Sequence, residues 1–135
     1  MPAVYQMDAS ILLRFLRDDH KEYSRKARAL IARANAGEIV LDVSAVTVAE
    51  IFYTLKSVYH IDRRSAANTL ADVLNTPAFR LHEPQRVNDA LRRVQVANVD
   101  FGDAYLAATA HSTNTGVASF DNDLGKFNDI TRLKY

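Results

Sequence analysis

Short apolar runs of strand length alternate with longer stretches whose apolar residues recur every three or four positions. This alternation constrains the fold more than any other property of the chain. Residues 3–7, 38–43, 79–82 and 117–120 read as strands, with 129–132 as an added edge strand. Between them, Ile11, Leu12, Phe15 and Leu16 follow helical spacing, and Asp18-Asp19 breaks that helix and is placed to cap the next. Tyr23, Ala27, Leu30, Ile31 and Ala34 then form an inward face that Gly37 ends. Val48, Ile51, Phe52, Leu55, Val58 and Tyr59 line one side of a third helix. Asp62 caps a fourth, bearing Ala66, Leu70, Val73 and Leu74 and stopped by Asn75-Thr76-Pro77. Pro84 suits the first turn of a fifth, with Val87, Ala90, Leu91 and Val94 inward. Residues 103–114 form a helix whose alanines permit close packing, and a helical turn follows Asp121. The pattern predicts a three-layer α/β/α domain with a mainly parallel central sheet. No repeat, low-complexity tract or linker interrupts it, so residues 1–135 read as one domain, long enough to bury a core without staples.

Four carboxylates recur where a strand gives way to a helix: Asp8 after residues 3–7, Glu50 after 39–41, Asp103 after 99–102 (the least strand-like of the four) and Asp121 after 117–120. All strands of a parallel sheet end on one edge, and ligand sites form there. Each acid also has an ordinary role. Asp8, Asp100 and Asp121 are natural N-caps. Thr47-Val48-Ala49-Glu50 matches a capping box with Glu50 at the third helical position, opposite the apolar stripe. Asp103 suits the positive end of a helix dipole.

Taken jointly they predict an acidic cluster, reinforced by Asp100 beside Asp103 and Asp123 beside Asp121. Carboxylates within a few ångströms repel one another, and a divalent cation removes the conflict. Oxygen ligands suit Mg²⁺ or Mn²⁺, and a phosphodiester is the natural substrate of such a centre. The metal lowers the pKa of its water, and one carboxylate takes the proton from the attacking water.

Other chemistries are poorly served. There is no cysteine, which removes disulfides, thiolate metal sites and a cysteine nucleophile. His20, His60, His82 and His111 share no metal-ligand spacing. No glycine-rich phosphate loop and no Gly-x-Ser-x-Gly elbow is present. No apolar run approaches a membrane span, so a soluble cytoplasmic protein is expected. Lys and Arg number 17 against 16 Asp and Glu, so overall charge does not mark a nucleic-acid partner. Lys21, Arg25, Lys26, Arg28 and Arg33 nevertheless crowd one helix, and Arg63-Arg64 and Arg92-Arg93 form pairs that suit phosphates.

The motifs Met7-Asp8-Ala9-Ser10 with Ile11 to Leu16, Val48-Ala49-Glu50-Ile51, Asp100-Phe101-Gly102-Asp103-Ala104 with Leu106-Ala107-Ala108, and Ser119-Phe120-Asp121-Asn122-Asp123 occur in this order over nearly the whole chain. In this the chain resembles the PIN-domain nucleases, and among them the VapC-type toxins of toxin–antitoxin pairs. The resemblance implies that Asp8, Glu50, Asp103 and Asp121 bind the metal and carry catalysis, and Asp123 matches a further metal-binding acid. It places Ser10 where it would orient Asp8 or a metal-bound water, and Ser119 at a small hydroxyl position near the last acid. It implies a Mg²⁺- or Mn²⁺-dependent endoribonuclease that leaves a 5′-phosphate and a 3′-hydroxyl on structured RNA and so stops translation. A cognate antitoxin covering a groove that leads to the active site, and a homodimer, are the partners it implies.

Two other functions are compatible with parts of the pattern. A phosphatase using Asp8 as nucleophile or ligand would need a lysine near the cluster, and Lys126 is the only one close to these motifs in sequence. A non-catalytic PIN-like interaction module would have no need of all four acids.

Overall fold

The computed structural model describes residues 1–134. It is a mixed α/β fold with six α-helices and a three-stranded parallel sheet among those residues. Strand β1 (Ala3–Gln6) leads into α1 (Ala9–Arg17) and α2 (Lys21–Asn35). Strand β2 (Ile39–Val43) leads into α3 (Ala45–Ser57) and α4 (Arg63–Leu74). Strand β3 (Phe79–Leu81) leads into α5 (Pro84–Ala97) and α6 (Phe101–Thr113), and a 3-10 helix covers Asn122–Lys126. The strands lie in the order β1-β2-β3, and two helices bridge each parallel pair, as parallel neighbours require.

Local signals set most boundaries. The Asp62 carboxylate accepts the Ser65 N–H at 3.1 Å and starts α4. Pro84 opens α5, and Asn98 and Asn114 end α5 and α6 with left-handed backbones. Asp18 ends α1 in the same way, at φ 48°. The cap of α2 is His20, whose Nδ1 accepts the Tyr23 N–H at 3.2 Å, and neither Asp18 nor Asp19 serves there. Tyr23 is exposed, as is Val58, because α3 stops at Ser57. The start of α3 also departs from expectation: Ser44 is its N-cap and accepts the Thr47 N–H at 3.2 Å. Glu50 therefore lies in the second turn and belongs to no capping box.

The core joins Ile39, Leu41 and Val43 of β2 to Ile51, Phe52 and Leu55 of α3, Leu70 and Leu74 of α4, Val87 and Leu91 of α5 and Phe101 of α6. Phe52 and Phe101 are both buried with ring centroids 6.1 Å apart, which locks α3 against α6. Ala104 and Ala108 are buried to within 1% and let helices approach closely.

Three expected strands, over 99–102, 117–120 and 129–132, are absent from the described residues. Residues 99–102 contain the start of α6, with Asp100 as its N-cap. Residues 117–120 make only a single parallel bridge, from Val117 to Arg132. Val117 N–H donates to Thr131 O at 2.8 Å, and Leu133 N–H donates to Val117 O at 2.7 Å. Val117 and Leu124 are buried against Ala107 and Ala110 in a small second core. This segment is therefore seated on α6, and β1 lies at an edge of the sheet with its residues exposed.

Asp42, unremarked in the sequence, is a carboxylate at the centre of the sheet with only 3% exposure. It lies in register between Gln6 and Arg80. It accepts hydrogen bonds from Gln6 Nε2 at 3.0 Å and Arg80 Nε at 2.6 Å, and pairs with His82 Nε2 at 2.9 Å. The Arg80 bond holds its carboxyl far below the usual range, helped by His82 and Gln6 and opposed by burial. A depressed pKa adds stability above the ordinary value of 3.8, and that stability is lost as pH falls below it. Asp42→Asn should lower the melting temperature at pH 7 by about 5 °C. The gap to wild type should close as thermal melts are taken below pH 4, a bound that follows from the ordinary value of 3.8; a gap that stays constant would remove the charge from this account.

Candidate active site

Three of the sequence-predicted acids converge. Asp103, Asp121 and Asp123 each offer a carboxylate oxygen within 4.8 Å of the others. Asp103 comes from the first turn of α6, where the helix dipole favours a negative charge. Asp121 and Asp123 come from the start of the 3-10 helix. Asp121 accepts the Asp123 N–H at 2.9 Å, and its own N–H donates to Ser119 Oγ at 2.9 Å. These short-range bonds set the turn that presents both acids. Lys126 Nζ lies 3.1 Å from Asp123, and Arg132 Nη2 donates to Asp121 O at 3.4 Å.

Asp8 and Glu50 stand outside this triple. Asp8 holds the N-cap position of α1, but its side chain makes no capping bond and accepts instead from Ser10 Oγ at 3.2 Å. Glu50 and Ser10 line one open groove of about 660 Å³ between α1 and α3, together with Leu13 and Tyr53. Thr47 Oγ1 donates to Met7 O at 3.4 Å and ties the start of α3 to the β1–α1 junction. Glu50 thus lines a groove shared by these two helices, and Asp8 is linked to it through Ser10.

The electrostatics follow from this layout. Burial pushes the Asp103 carboxyl above its usual range. The negative charges of Asp121, Asp123 and Asp100, and a shared hydrogen bond with Asp121, push it further. Asp100 behaves oppositely. Burial pushes it up, but Lys56 at 2.6 Å and Arg63 at 2.9 Å outweigh burial and hold it low. Asp100 occupies the cap position expected of it, yet its carboxylate makes no cap bond and is taken by these two cations. Lys56 is the lysine that sequence inspection missed, since its partner lies 44 residues away.

The basic helix is mostly neutralised by neighbours. Lys26 pairs with Glu22, Arg28 with Asp18 and Arg33 with Glu38. Among the described residues, Lys21 and Arg25 have no carboxylate partner.

The sequence pattern of a known family, the PIN domain, matches residues 5–130. The chain belongs to the PIN domain family. No curated protein matches the chain. PIN domains are generally nucleases and typically depend on a divalent metal, so a nuclease-type hydrolytic function follows from membership. The triple fits such an ion by its chemistry: three hard oxygen donors, close enough to repel one another, with a raised Asp103 that a cation would relieve. No helix among the described residues is long and apolar enough to cross a membrane.

A raised carboxyl pKa means the folded state binds its proton more tightly than the unfolded chain, so this group destabilises the fold at neutral pH and less so as pH falls. Asp103→Asn should therefore raise the melting temperature in chelator at pH 7 by about 3 °C. The advantage should shrink as pH drops through the raised value. Equal or lower stability of the variant at pH 7 would contradict the repulsion.

Proposed function

We propose that this chain is a metal-dependent endoribonuclease and the toxin of a VapBC-type toxin–antitoxin pair. The observation that supports this reading most directly is the convergence of Asp103, Asp121 and Asp123 within a PIN-family chain. These three would hold Mg²⁺ or Mn²⁺, with Asp8 and Glu50 completing the metal-binding and catalytic set from the α1 and α3 side. When bound, the divalent ion supplies an acidified water and offsets charge on the phosphoryl oxygens. Asp8 or Glu50 takes the proton from the attacking water, and Ser10 orients Asp8 through its hydrogen bond. Hydrolysis leaves a 5′-phosphate and a 3′-hydroxyl. Lys21 and Arg25, uncommitted to local acids, are the first candidates for RNA phosphates on α2.

The cognate antitoxin is assigned to a second groove, between α1 and α2. It has a volume of about 380 Å³ and is lined by Ser10, Ile11, Arg14, Tyr23, Lys26 and Leu30. Its apolar floor suits a segment carrying apolar side chains, whose acids would compete with Asp19 for Arg14 and with Glu22 for Lys26. Ser10 lines both grooves, so an occupant would reach toward Asp8. A homodimer is part of the same proposal.

The test is cleavage of total cellular RNA by purified protein free of antitoxin, with Mg²⁺ or Mn²⁺ and with chelator. Discrete cuts bearing 5′-phosphates are expected, lost in chelator. Changing Asp8, Glu50, Asp103 or Asp121 to the amide or to Ala should each lower the cleavage rate by a factor of about 100 or more. Full-rate cleavage by Asp103→Asn would overturn the assignment.

A further inference from the structure

Helices normally cap themselves, with the N-cap side chain accepting an N–H of the first turn. Helix α6 does not. Asp100 sits at the cap position, but its carboxylate faces Lys56 Nζ at 2.6 Å and the Arg63 fork at 2.9 and 3.4 Å. Arg63 Nη1 also donates to Asn98 O at 3.2 Å, gripping the chain just before the helix. The vacant capping role passes to another helix, where the Tyr53 hydroxyl oxygen accepts the Gly102 N–H at 3.0 Å.

Three side chains from α3 and α4 thus converge on the turn that carries Asp103. Tyr53 lies three residues beyond Glu50, on a neighbouring position of the same helix. It is bonded to the residue immediately before Asp103. Gly102 permits this approach, since a Cβ there would lie 3.0 Å from the Tyr53 oxygen. The hydrogen bonds to Asp100 raise the Arg63 pKa against the lowering by burial, and the charges of Asp123 and Asp103 add to the rise. Arg63 therefore also offsets part of the field of the acid triple.

The geometry points to Tyr53, Lys56 and Arg63 as positioning residues of the nuclease, a clamp that sets the separation between the helix bearing Glu50 and the turn bearing Asp103. The inference rests on the nuclease reading above. None of the three belongs to the acid triple. They act by holding the first turn of α6 in place, as outer-shell partners orient metal ligands elsewhere.

The decisive variants are Tyr53→Phe, which removes one hydroxyl, and Arg63→Lys, which keeps the charge and loses the fork. Each is measured for thermal stability, for Mn²⁺ affinity by electron paramagnetic resonance without RNA, and for kcat and KM on the cleaved RNA. About tenfold losses in Mn²⁺ affinity and in kcat are expected, with KM little changed and the melting temperature near wild type. Gly102→Ala should lose affinity to a similar degree in the wild-type background, because its new methyl crowds the Tyr53 oxygen. In the Tyr53→Phe background it should add little, because that oxygen is gone. If wild type binds Mn²⁺ and cleaves, and Asp103→Asn does not, while folded Tyr53→Phe and Arg63→Lys match wild type in both readouts, the clamp is overturned and the nuclease stands. If wild type neither binds Mn²⁺ nor cleaves RNA, both fall together. Additive losses in the Gly102→Ala, Tyr53→Phe pair would also overturn the clamp.

Discussion

Three carboxylates within 4.8 Å of one another repel strongly unless a cation or a proton intervenes, so the backbones that carry them must be held by something else. Helix α6 meets most of that demand. Its alanine face packs it closely among its neighbours, and its outer side, through Ala107 and Ala110, buries Val117 and Leu124. One helix therefore supplies Asp103 and also seats the segment that supplies Asp121 and Asp123. The second core is small, yet it decides where two of the three acids stand.

Charge is arranged around this centre in shells. The acids are innermost, and cations lie one step out: Lys56 and Arg63 on Asp100, Lys126 on Asp123, and Arg132 on the Asp121 carbonyl. The balance of 17 basic to 16 acidic residues conceals this structure completely. Exposed pairs such as Lys26–Glu22 contribute little to stability. The Asp100 cluster is half-buried and joins three helices, so its bonds are less screened and constrain geometry more.

The strand–helix alternation was legible because periodicity and caps are local. Val87, Ala90, Leu91 and Val94 face inward as their spacing demands, and Asp62 and Pro84 start the helices assigned to them. Local rules also misled. Thr47 to Glu50 has the letters of a capping box, but Ser44 three residues earlier captures the Thr47 N–H and shifts the helix start. Val117 to Phe120 has the composition of a strand, but Val117 is buried on α6 and makes only a single bridge to Arg132. Asp42 resembled nothing in particular, because its partners Gln6, Arg80 and His82 are 36 to 40 residues away.

Short-range spacing in the sequence carries the six helices, the three strands of the sheet, Asp8, Asp103 and Asp121 at helix starts, and the family. The tertiary structure decided which acids meet. Asp103, Asp121 and Asp123 come together, while Glu50 lines the neighbouring groove and Asp8 bonds to Ser10 of its lining. It also decided that Asp100 bonds to Lys56 and Arg63 instead of capping its own helix, and that Tyr53 caps that helix from α3. The reason is physical: those partners lie 37 to 49 residues apart, and only the packing of α3, α4 and α6 around one core brings them within bonding distance.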